Sequence, residues 1–135
     1  IKIRGFPVKN EMGGGGGFIV CYFPGLKMHV VNLHLACIKK SRMLKQLRFI
    51  ERILKKLDKK IILTGDFNSV SKDIKNYFKD FIMASGHIKT CSDTDLLRRF
   101  WFRDLDHILV KGFEKEDAGR LIGHSDHELI YADLE

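Results

Sequence analysis

The stretch that most constrains this chain is Ile61-Ile62-Leu63-Thr64-Gly65-Asp66-Phe67-Asn68. Its three leading apolar residues fit a buried strand, and Gly65 then allows the backbone to turn sharply. If strand geometry continues past Gly65, Asp66 and Asn68 leave the same face, with Phe67 between them. A carboxylate that can take a proton from water, beside an amide that can donate to an oxyanion, is a chemically useful pair. The same two residues also suit an ordinary strand-end turn, because Asp and Asn both favour turns. This stretch alone does not choose between those readings.

Other strand ends do. Asn32-Leu33-His34-Leu35 closes the apolar run Met28-His29-Val30-Val31, and Gly123-His124-Ser125-Asp126-His127 opens a terminal strand from Glu128 to Leu134. Between them lies Leu105-Asp106-His107-Ile108-Leu109-Val110. Strand ends thus carry His34, Asp66 with Asn68, Asp106, and Asp126 with His127. Taken in order, NLHL, TGDFN, LDHILV and SDH resemble the endonuclease/exonuclease/phosphatase superfamily, which contains magnesium-dependent nucleases, deadenylases, sphingomyelinases and inositol phosphatases. Each motif is short, but their order and strand context together make the resemblance specific.

The 135 residues suffice for a single domain, and a hydrophobic content of 44% is that of a globular chain with a core. A formal charge of +7 and a pI near 9.4 favour a polyanionic partner, nucleic acid first and an anionic membrane surface second. Lysine enrichment of a solvated surface would give the same numbers. Cys21, Cys37 and Cys91 are widely spaced and lack a CxxC pattern, which reads as reduced, buried thiols in an intracellular protein, cytoplasmic or nuclear. No apolar run is long enough to cross a membrane, and no signal peptide is visible.

Along the chain, Ile1 to Met12 alternates loosely around Gly5 and Pro7, as a short edge strand would. The glycines Gly13 to Gly17 read as a mobile loop without a phosphate-binding role, since no lysine and helix follow as a phosphate loop requires. Phe18–Phe23 and Lys27–Leu35, joined by Pro24-Gly25, form a hairpin. Ser41 can cap a helix to about Leu57, whose apolar residues Leu44, Leu47, Ile50, Ile53, Leu54 and Leu57 recur at three and four. The basic stripe Lys45, Arg48, Arg52, Lys55 and Lys56 reads as the solvated face of that helix. A second helix begins at Ser71 or Asp73 and runs through Phe78, Phe81 and Ile82 to Ala84, where Gly86 stops it. The segment before Asp106 combines Arg98, Arg99 and Arg103 with Trp101. Cations for phosphate and rings for stacking suit a nucleic-acid groove, so these arginines are candidate substrate contacts; Trp101 fits a core position equally.

The resemblance implies a phosphodiesterase centre. Asp66 would orient and deprotonate water, Asn68 would donate to an attacking or non-bridging oxygen, and His34 would donate to a phosphate oxygen. Asp106 would pair with His127, hold its ring and raise its pKa, so that the imidazole stays cationic beside phosphate. Asp126 would help to hold Mg2+, with Mn2+ as the alternative, because both accept oxygen donors. His107 follows Asp106, so strand alternation turns it to the opposite face as a structural residue.

The resemblance implies an α+β fold, a mixed or antiparallel sheet with helices on one face. It covers Phe18 to Leu134, the C-terminal half of the family's α/β/β/α sandwich. The N-terminal half would bring a strand ending in Asn and another ending in Glu, the principal metal ligand. Asn10-Glu11 is a weak substitute, with no apolar strand before it. A missing half or a second chain is therefore expected to complete the sandwich. Two functions follow: magnesium-dependent hydrolysis of phosphodiesters, nucleic acid foremost, or a catalytically incomplete remnant that binds nucleic acid or a partner protein without cleavage.

Overall fold

The computed structural model describes residues 1–8, 16–35, 40–57, 60–68, 71–85, 105–121 and 129–135. Among the described residues, β1 (Lys2–Val8), β2 (Gly16–Phe23), β3 (Met28–His34), β4 (Lys60–Asp66), β5 (Ile82–Ser85) and β6 (Asp106–Lys111) form one sheet in the order β1-β2-β3-β4-β6-β5. Only β3 and β4 run parallel, and the long connection between them contains α1 (Lys40–Leu54). The remaining pairings are antiparallel. The second helix, α2, is Ser71–Tyr77. The expected α+β fold with a mixed sheet and helices on one face is what the chain adopts.

The pleat explains the division of labour between the two faces. Phe18, Val20, Val31, Leu33, Ile61, Leu63 and Leu109 point to one side and meet Met43, Leu47, Ile50 and Leu54 of α1 and Ile74 of α2 in a single buried cluster. Both helices therefore cover the same face. Lys45, Arg48 and Arg52 of α1, with Lys55 and Lys56 in the turns just after it, are exposed, so the basic stripe is a solvated face, as its spacing implies. The hairpin of β2 and β3 turns through Pro24–Leu26, with Lys27 in the left-handed region at φ 46°.

Several elements differ from their sequence reading. Ser41 sits inside α1, one residue after its start, and α1 ends at Leu54 with hydrogen-bonded turns carrying the chain on to Leu57. The second helix stops at Tyr77. Phe81 donates to the Phe78 carbonyl in a turn, and Ile82–Ser85 pairs with β6 instead of continuing the helix. Tertiary pairing overrides the helical spacing of Phe78, Phe81 and Ile82. The terminal strand β8 (Leu129–Leu134) does not join the main sheet. It pairs antiparallel with β7 (Lys115–Leu121), a polar strand without a clear alternating signal, and the pair rests against β5 and β6. Gly16 and Gly17 belong to β2, not to a loop; the rest of the glycine run lies outside the described residues.

Opposite the helices, register alone builds three cross-sheet rows. The first runs Ile3, Cys21, Val30, Ile62, Val110, Ile82. The second runs Gly5, Ile19, Asn32, Thr64, Ile108, Ser85, and the third contains Gly17, His34, Asp66, Asp106. On this face Val110 is fully buried, while its row neighbour Ile82 is 51% exposed. Toward β1 it is open: Ile3 is 66% and Ile19 46% exposed. Cys21 is half-buried with a free thiol, rather than buried.

Candidate active site

The third row is the centre of the site. His34 ends β3, Asp66 ends β4 and Asp106 begins β6, and the register places them side by side. The His34 imidazole Nε2 lies 3.8 Å from Asp66 Oδ2. The histidine side chain is 69% exposed and the carboxylate 18%.

The backbone around Asp66 is fixed on both flanks. Its carbonyl accepts from the Leu35 N–H at 2.9 Å, and the next N–H, that of Phe67, donates to the Leu105 carbonyl at 2.8 Å. Phe67 is fully buried on the helix side, with its ring edge-on to Phe78 at 6.4 Å and to His107 at 5.4 Å. An anchored aromatic between Asp66 and Asn68 thus holds the polar pair at the other face. His107 is also fully buried, in agreement with the structural role that alternation gives it.

Gly65 has φ 129°, and a Cβ there would lie 2.0 Å from the Leu33 carbonyl oxygen and 2.9 Å from Asn32 Oδ1. The glycine therefore allows close approach of β3 and β4 immediately before the site. It does not end the strand, which continues through Asp66.

Asn68 reaches Asp66 by a turn rather than by continued pleating. Its φ of 46° is left-handed, a conformation that Asn tolerates well. Its backbone N–H donates to Asp66 Oδ1 at 2.7 Å, and its side-chain Nδ2 donates to Asp66 Oδ2 at 3.3 Å and to the Leu35 carbonyl. Both carboxylate oxygens are thereby oriented. The amide donors of Asn68 point at protein groups, so donation to a substrate oxygen requires one of these bonds to be exchanged. Sequence reasoning missed the carbonyls of Leu35 and Leu105 as part of this support. Only the juxtaposition of three strand ends supplies them, and no local pattern reports it.

The structure brings together His34, Asp66, Asn68 and Asp106. Asp126, His127, Arg98, Arg99, Arg103 and Trp101 lie outside the described residues, as do Asn10 and Glu11. Two carboxylates at adjacent strand ends are the oxygen-donor chemistry that magnesium or manganese accepts. Among the described residues, no three His, Cys, Asp or Glu side chains gather closely enough to hold a metal ion on their own. The donors present thus fit such an ion in kind, with further ligands needed to complete a site.

No family model and no curated protein matches the sequence. Solved structures do match. A functionally unknown conserved protein from Enterococcus faecalis aligns over 100% of this chain and 66% of its own, at 20% identity and a TM-score of 0.72. TDP2 from D. rerio, complexed with a single-strand DNA product, aligns over 100% of this chain and 67% of its own, at 16% identity and a TM-score of 0.71. An endonuclease/exonuclease/phosphatase from Bacteroides vulgatus aligns over 100% and 65%, at 17% identity and a TM-score of 0.68. The fold is that of the endonuclease/exonuclease/phosphatase proteins. The chain spans about two thirds of the length of each of these three. Within this fold the row of His34, Asp66 and Asp106 occupies strand ends on the face away from the helices. Among the described residues, no helix is long and apolar enough to cross a membrane.

Proposed function

We propose that this chain carries the strand-end machinery of a magnesium-dependent phosphodiesterase, acting foremost on nucleic acid in the cytoplasm or nucleus. The observation that carries the reading is the Asp66 carboxylate, held from both oxygens by Asn68 and flanked by His34 and Asp106 at one exposed edge. The basic balance of the chain favours a polyanionic substrate over a small soluble phosphate ester.

In this reading Asp66 orients a water molecule and takes its proton, and Asn68 fixes the carboxylate so that one lone pair faces that water. His34, exposed beside Asp66, donates to a non-bridging phosphate oxygen. Asp106 steadies the ring of His127, which remains cationic and neutralises charge on the phosphoryl group. Arg98, Arg99 and Arg103 contact the phosphate backbone of the substrate. Asp126 would help to hold Mg2+, or Mn2+; when bound, the ion supplies charge neutralisation on the phosphoryl oxygens.

The second reading, a remnant that binds nucleic acid or a partner protein without cleaving, is favoured by one observation: the described residues gather too few ligands to hold a metal ion unaided. Cleavage of single-stranded DNA, duplex DNA and RNA, with and without Mg2+, separates the two. The chain is tested alone and then joined to, or mixed with, a segment carrying a strand that ends in Glu. Weak cleavage is expected from the chain alone, and metal-dependent cleavage, abolished by Asp66→Asn, when the glutamate is supplied. Salt-sensitive binding without cleavage in both arms establishes the remnant reading instead.

A further inference from the structure

A cleft of about 420 Å³ lies between the β1–β2–β3 end of the sheet and the last turn of α1. It is on the helix-covered face and opens at the start of β3, whereas His34 and Asp66 sit at the far ends of β3 and β4. Its size falls within the roughly 300–1,000 Å³ usual for small-molecule sites.

Its lining has a definite chemistry. Lys2, Arg4 and Lys56 bring three exposed cations, and no acidic side chain lines the cleft among the described residues. The register sets Lys2, Tyr22 and His29 in one row across β1, β2 and β3. The Tyr22 and His29 rings lie 4.6 Å apart with their planes 31° from parallel. His29 is only 9% exposed. Aliphatic side chains such as Ile53 complete the wall.

Clustered cations call for an anion, most economically a phosphate. The ring pair and aliphatic wall call for a flat apolar body. We propose that this cleft binds a nucleoside monophosphate group, with its base against the Tyr22 and His29 rings and the aliphatic wall, and its phosphate among Lys2, Arg4 and Lys56. The group comes either from a free mononucleotide or from the phosphorylated end of a strand. The site is independent of the hydrolytic reading, because it lies at the opposite end of the sheet and needs no metal.

The test titrates adenosine monophosphate, adenosine and inorganic phosphate into the chain in the presence of a chelator, read by NMR at the Tyr22 and His29 signals. The chelator removes metal-dependent binding near Asp66. Adenosine monophosphate should bind at least about tenfold more tightly than adenosine or phosphate, and the Arg4→Glu, Lys56→Glu double variant should lose about tenfold. Both substituted side chains are exposed, so the variant should keep the wild-type spectrum elsewhere. Displacement by a 5′-phosphorylated oligonucleotide assigns the site to strand ends, and failure to displace assigns it to free nucleotide; either sustains the proposal. Equal weak binding of the three probes, shifts confined to the Asp66 end of β4, or undiminished affinity in the double variant overturns it.

Discussion

Of the two faces of the six-stranded sheet, one carries the core and the other the candidate site. On the helix face Val31, Leu63 and Leu47 have no exposed surface, and Leu33 and Leu109 almost none. On the opposite face the same strands present Asn32 and His34 to solvent and leave Ile3 and Ile19 open. Neighbouring residues of one strand belong to different worlds: Phe67 is fully buried among rings, while Asp66 and Asn68 on either side of it face a water-accessible edge. The lesson is that the site's rigidity is borrowed. The polar face owes its geometry to apolar contacts one residue away.

That comparison can be broken most forcefully at Phe67. Phe67→Ala should destabilise the fold by about 3–5 kcal/mol. It should also release Asp66, so that any cleavage falls further than the loss of folded protein explains; urea unfolding and activity on the residual folded fraction separate the two effects. Gly65→Ala should be nearly as severe, at about 3 kcal/mol or more, because the added carbon meets the Leu33 carbonyl and φ 129° is strained for alanine. Thermal unfolding checks it, and a neutral result would mean that β3 and β4 can separate there at little cost.

These effects show what was legible in the sequence. The apolar spacing of α1, the β2–β3 hairpin and the polar strand ends could all be read, because each depends on local periodicity or a short motif. The β7–β8 pair could not. Lys115–Leu121 is largely polar and exposed, so it lacks the alternation that marks a half-buried strand, and the sheet that β8 joins depends on this unmarked partner. The end of α2 was misread because Phe78 and Phe81 pack at helical spacing while the backbone between them turns. In the site, the residue types could be read but not the left-handed turn at Asn68, which directs its amide to Asp66 and Leu35.

Weaker perturbations sharpen the contrast. Asn68→Gly accepts the left-handed backbone but loses the side-chain bonds to Asp66 and Leu35. Stability should fall by about 1 kcal/mol, while catalysis in the complemented chain falls by about 10²-fold or more; the ratio of the two, from unfolding and rate measurements on the same variant, is the test. On the open face, Ile19→Ser should change the stability of the chain by less than about 1 kcal/mol. A loss of several kcal/mol would show that another segment or chain covers Ile19. The smallest effect is expected on the outer face of α1, where Lys45→Glu with Arg48→Glu should leave substrate affinity and cleavage unchanged, because those side chains lie on the far side of the sheet from Asp66.

If the proposed function holds, a divalent ion and phosphate meet at the strand-end row of His34, Asp66 and Asp106. Paramagnetic broadening by Mn2+, added with inorganic phosphate to the chain, locates the ion without requiring turnover. The amide signals of residues around His34, Asp66 and Asp106 should broaden first, and Asp66→Asn should remove the effect while the core signals of Leu63 and Val31 stay in place. Broadening centred on another part of the surface, or broadening around Asp66 that survives Asp66→Asn unchanged, would contradict it.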